Sequence, residues 1–200
     1  MESLSTFVSA LTSPKETFAL KKKEASFRKG LELVAVVSVF TAISGTLGIL
    51  LMPDSSQAKF WAPLFTGAQG FSGVAYFVFS FLLGVIGSLV FVWVVNAISR
   101  QLGGKGTYTE LLFLSLLYGV PIAVASPLLQ LIPLVGGALS LVLGLYGFYL
   151  WFLTMKETHG FSFGRSCLVF LVLLAIFAVI GIIAGFVAVL SAIGARAAAH

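Results

Sequence analysis

The chain has 200 residues, of which 59% are hydrophobic and only 10% charged, with a mean hydropathy of +1.09. A soluble domain carries charge on roughly 25% of its residues, so this sequence has too little charge to cover a water-facing surface, and lipid must solvate most of it. The net charge of +5 sits at the ends of apolar segments instead of along a groove, which excludes a nucleic-acid footprint.

The first thirty residues differ in kind from the rest of the chain. No apolar run precedes their basic cluster, so they do not read as a secretory signal. Leu4, Phe7, Val8 and Leu11 recur at the spacing of one helical face, which predicts a short interfacial amphipathic helix. A second helix start comes next: Ser13 caps, Pro14 suits the first helical position, and Glu16 completes a capping box. The stretch "KKKEASFRK" then sets Lys21, Lys22, Lys23, Arg28 and Lys29 beside the inner leaflet, with Phe18 and Phe27 able to dip into it. Each cation near an anionic surface contributes roughly 1 kcal/mol. The segment is read as a topology anchor or as an arm that docks lipid or a partner.

Crossing a ~30 Å hydrocarbon core takes about 20 largely apolar residues. Five segments qualify: Leu31–Met52, Phe71–Ser99, Leu111–Gln130, Pro133–Met155 and Ser166–Gly194. An odd number puts the termini on opposite sides. With the N-terminus inside, the inner segments hold ten of the 12 Lys and Arg, and the outer ones only Lys59 and Arg196. Cation excess marks the cytoplasmic face. The expectation is a cell-membrane protein with a cytoplasmic N-terminus and an external C-terminus. Trp93 and Trp151 then fall near inner span ends, and Phe60 and Trp61 outside.

The third span opens with "GGKGTYTELL". Thr107 and Glu110 repeat the capping-box spacing, and Gly103, Gly104 and Gly106 permit a sharp turn. The amides at that helix start, with Lys105, form either a well-capped turn or a seat for an anion such as a lipid phosphate. The glycine spacing is not that of a P-loop. Pro121 leaves the carbonyl of Leu117 without its helical donor, which predicts a bend.

Spans pack through small residues. Ser80, Gly84, Ser88 and Asn96 share a ridge on the second span, Gly136, Ser140 and Gly144 one on the fourth, and Gly181 and Gly185 one on the fifth. These predict a compact grouping of the second, fourth and fifth helices, and the GxxxG of the fifth can also serve a homodimer. No Asp, Glu, Lys or Arg lies at membrane depth, which argues against ion-coupled transport. Cys167 is the single cysteine, and its place opening an apolar helix favours a plain small-residue role. His159, with Glu157 nearby, has no partner at ligand spacing and reads as a solvated loop residue. No catalytic, metal or cofactor residues are assigned, and no enzyme is expected.

The order "SPKETF", "GGKGTYTELL…YGVP", "IPLVGG" and "ETHGFS" across the chain resembles the Yip1-domain family in its short prokaryotic form. That resemblance implies five transmembrane helices, a cytosolic N-terminus and a non-enzymatic role. Eukaryotic members are tied to vesicle traffic and prenylated Rab-type GTPases. This chain lacks their long N-terminal domain and Asp-Leu-Tyr-Gly-Pro motif, so such a GTPase is not expected here.

The sequence therefore reads as an all-α polytopic bundle. Residues 1–30 form a basic cytoplasmic-face segment, 31–195 the five-helix domain, and 196–200 a tail resembling a linker scar or a natural helix end. Function is expected at the inner face, in binding anionic lipid or a protein partner. Lys21, Lys22, Lys23, Arg28, Lys29, Lys105, Thr107 and Arg165 are its candidate residues. The alternative is a passive conduit for a small uncharged or lipid-like solute, running between the second and fourth helices.

Overall fold

The computed structural model describes residues 4–67, 70–130, 132 and 135–198. Its helices are α1 (Leu4–Thr12), α2 (Pro14–Lys22), α3 (Phe27–Leu51), α4 (Ser56–Trp61), α5 (Gly73–Gln101), α6 (Tyr108–Gln130), α7 (Gly136–His159) and α8 (Phe163–Ala198). Between α4 and α5 a 3-10 turn, Ala62–Phe65, leads into two-residue strands β1 (Thr66–Gly67) and β2 (Gly70–Phe71), antiparallel with Thr66 opposite Phe71. Five helices, α3 and α5 to α8, are long and apolar enough to cross a membrane, as the sequence predicts. Pro133, the expected start of the fourth span, and the last two tail residues lie outside the described residues. The helix of α8 continues through Ala198, into the expected tail.

Local chemistry sets the helix starts. Ser26 Oγ accepts from the Lys29 amide at 3.2 Å to open α3, and Ser72 Oγ accepts from Ala75 at 3.3 Å to open α5. At the far end of α7, Gly160 takes φ +71° and donates its N–H to Lys156 O at 2.9 Å. This left-handed stop is one that a Cβ would disfavour. The α6 helix runs unbroken through Pro121 and Pro127.

The bundle is built around α6. It packs extensively on α3 and α7, α3 also packs on α5, and α8 leans lightly on α7 and α5. Leu111, Leu112, Phe113, Leu114 and Leu117 of α6 are all but inaccessible, with Val34, Val95, Leu150 and Met155 around them. This differs from the expected grouping of the second, fourth and fifth spans. The ridge on α5 does close, but against α3: a Cβ on Gly84 would meet Ser38 Oγ at 3.0 Å. Cβ atoms at Gly144, Gly181 or Gly185 would meet nothing within 4 Å. A small-residue ridge permits close approach without choosing a partner. Here the approaches are made at Gly30, where a Cβ would come within 2.9 Å of Leu112, and at Gly106, against the Thr158 backbone.

The two ends of the bundle differ. One gathers the basic residues, where α2 meets α3, α5 turns into α6, and α7 turns into α8. The other carries α4 and the small hairpin, whose Ala58 packs with Ile49 and Tyr76 inside a shell including Trp61, Phe65 and Phe71.

Candidate functional site at the basic end

The cations of "KKKEASFRK" meet their own carboxylates first. Glu24, in the connection between α2 and α3, receives Lys21 Nζ at 2.9 Å and Lys29 Nζ at 3.2 Å. The Lys21 ammonium, followed by that of Lys29, holds the Glu24 carboxyl below the usual carboxylate range. Arg28 Nε reaches Glu32 at 3.3 Å, four residues on. Such exposed pairs are individually weak. Lys29 also lies 5.7 Å from the ring centre of Phe113. Lys23, Lys105 and Arg165 are exposed.

Lys22 is different. Its Nζ donates to Glu157 O at 2.8 Å and Thr158 O at 3.2 Å, the last carbonyls of α7. An ammonium there satisfies orphan acceptors and complements the negative end of the helix dipole. Lys22 is therefore a pin between α2 and α7 and not one of the headgroup-facing cations.

Thr107 also has an internal role. Its amide donates to Glu110 Oε2 at 2.9 Å, while Glu110 N donates to Thr107 Oγ1 at 3.3 Å. Two of the amides at the helix start, those of Thr107 and Glu110, are thus taken by the capping box. Gly103 takes φ +86°, which lets the chain double back so that Lys105 N reaches His159 O at 3.4 Å. The turn from α5 to α6, the end of α7 and Lys22 are thereby brought together. Arg165, in the first turn of α8, joins none of these bonds.

His159 overturns its sequence reading. It is 2% exposed, closes α7, stacks at 5.5 Å on Phe161, and leaves both ring nitrogens without a hydrogen bond. Gly104 permits this burial, since a Cβ there would lie 2.7 Å from His159 Nδ1. The neighbouring glycines of the 103–106 turn were the available signal that something large packs against that loop. Among the described residues, no group of three or more His, Cys, Asp or Glu side chains could hold a metal ion.

Phe18 does not dip into lipid; it is fully buried, its ring 6.1 Å from Tyr118. Phe27 does remain half exposed. Tyr146, which the sequence reading passed over, donates its hydroxyl to Leu11 O. Its signal was a phenol in the middle of an apolar span, where a hydroxyl needs an acceptor. Between α5, α7 and α8 lies an apolar groove open to the surface, with a volume of about 320 Å³, lined by Phe91, Gly144, Phe148, Trp151, Phe170 and Leu173 among others. Ser88 is not among its lining residues.

The family model for the Yip1 domain matches residues 8–193. Neither the curated proteins nor the solved structures contain a significant match.

Proposed function

Because the chain belongs to the Yip1-domain family and is a multi-pass membrane protein, we propose that it works by binding and not by reaction, with its basic end facing the cytoplasm in the cell membrane. That end docks anionic lipid headgroups through Lys21, Lys23, Arg28, Lys29, Lys105 and Arg165. The supporting observation is the placement of charge: nine of the 12 cations, all but Lys15, Lys59 and Arg196, cluster at one end of the spans. Those with carboxylate partners hold them through exposed, individually weak pairs. Lys22 and Thr107 keep the surface in shape.

The test is retention of phosphatidylglycerol by the purified protein in mild detergent, followed by native mass spectrometry. Replacing Lys21, Lys23 and Lys29 with Gln reduces the bound anionic lipid several-fold, at roughly 1 kcal/mol per cation, while phosphatidylcholine retention is unchanged. Equal retention of anionic lipid by the variant refutes the reading.

A second reading rests on the groove between α5, α7 and α8. Its walls favour an acyl chain or another lipid-like solute over an ion. If it is a conduit, Gly144→Phe blocks flux of such a solute in reconstituted vesicles, whereas filling a mere packing gap leaves flux at background in both proteins.

A further inference from the structure

The first two helices stand beside the spans instead of capping them, and three contacts fix how far they reach. Lys22 is pinned at the basic end of α7. Phe18 packs on Tyr118, which lies about 15 Å along α6 from its first residue at 1.5 Å per residue. Leu11, in the last turn of α1, accepts from Tyr146, about 20 Å along α7 from His159 on the same rise. Helix α2 thus descends from the basic end along α6 and α7 and meets α1 at a bend at Ser13, near the depth of Tyr118 and Tyr146.

What these two helices turn outward fits a lipid neighbour better than water. Leu4 is 80% exposed, Leu20 71% and Val8 53%, while Ala10 and Phe18 are buried against the bundle. Lys15 and Glu16 are exposed at the deep end of α2. The Lys15 stem can carry its ammonium back toward headgroups, and charged groups at such depth draw water and headgroups down beside them. Among the described residues, nothing comparable happens at the opposite end. There α4 stays at the span ends, its buried Ala58 resting on Ile49 and Tyr76, each within a turn of its helix terminus.

We propose that residues 4–22 enter the leaflet on the basic side as a re-entrant wedge. The tails of that leaflet are its partner, and the extra cross-section makes the chain prefer membrane that is convex on the basic side. Two helices added on the basic side widen the protein there more than at the end that carries α4. A lipid layer accommodates such a taper at least cost where it already bends that way.

Depth is tested with a fluorophore on Ser13→Cys or Lys23→Cys in a Cys167→Ser background, quenched by lipids spin-labelled near the headgroup or near the chain end. The Ser13 site is quenched more by the chain-end label and the Lys23 site more by the headgroup label. Headgroup-preferring quenching at both sites overturns the proposal. Curvature preference is tested by reconstitution into mixed small sonicated and large extruded phosphatidylcholine vesicles, counting only molecules whose N-terminus faces outward. The native chain is enriched per membrane area on the small vesicles. The double variant Phe18→Ala, Tyr146→Phe, checked for insertion by protease protection, loses that enrichment. Equal partition of the native chain, or undiminished sorting by the inserted variant, overturns the proposal. These vesicles hold no anionic lipid, so the result does not depend on headgroup docking.

Discussion

The third span and the last are both apolar enough to cross a membrane, yet they are used in opposite ways. In α6, 44% of the most apolar window is buried inside the protein; in α8 only 11% is, although α8 is the more hydrophobic helix. In water the more apolar helix would be drawn to the centre. In a bilayer, tails solvate leucine as well as protein does, so helix association follows shape and polar contacts instead. The central helix is the one with an N-terminal capping box and neighbours that approach it through Gly30. Hydrophobicity along this chain marks the lipid-facing surface.

The sharpest way to break that contrast is with glycine. Gly106→Val drives a side chain into the Thr158 backbone, 2.4 Å from where a Cβ would sit, and should cost upward of about 3 kcal/mol. Gly185→Val, with open space around it, should change stability by less than about 0.5 kcal/mol. Unfolding in mixed micelles with increasing dodecyl sulfate reads both. A similar gap should separate Phe113→Ala, fully buried in α6, from Ile182→Ala, 71% exposed in α8. The former is expected to cost about 3 kcal/mol and the latter almost nothing.

Smaller effects sharpen the distinction between pinned and lipid-facing cations. Lys22→Gln removes the ammonium from the end of α7 and should destabilise by about 1–2 kcal/mol. Lys23→Gln should leave the same unfolding curve unmoved. Glu24→Gln should raise retention of phosphatidylglycerol by removing a carboxylate that pairs with Lys21 and Lys29, with only a slight loss of thermal stability at neutral pH. The folded Glu24 pKa lies below its ordinary 4.5. Its stabilising contribution is therefore complete above pH 4.5 and fades as pH falls through that lower folded value. The melting difference between Glu24→Gln and the native chain should vanish there.

The spans were legible because length and apolarity alone define them. Both helix starts at Ser13 and Thr107 were also legible, but only one makes the expected box. Ser13 donates its N–H to Ser9 O at 2.8 Å, since α1 runs directly into it. Nothing is left for Glu16 to cap, and Ser13 makes no side-chain cap bond. Thr107 emerges from a glycine turn with its amide free to pair. Tertiary facts were hidden for a different reason. That Gly84 meets α3 while Gly144, Gly181 and Gly185 meet nothing depends on which helices become neighbours, and ridge spacing within one helix does not encode this. The burial of His159 and Phe18 likewise arises where segments distant in sequence converge. The candidate cations were identifiable from composition, but the division between Lys22 and its neighbours was not.

The docking and leaflet assignments share one premise, that the basic end and Lys59 lie on opposite faces of the membrane, with one crossing, α3, between them. Single cysteines at Lys23 and Lys59, each in a Cys167→Ser background, test it with a membrane-impermeant maleimide on intact cells. Lys59→Cys should label at once, and Lys23→Cys only after permeabilisation. Labelling of Lys23→Cys in intact cells, or equal protection of both sites, would contradict the account.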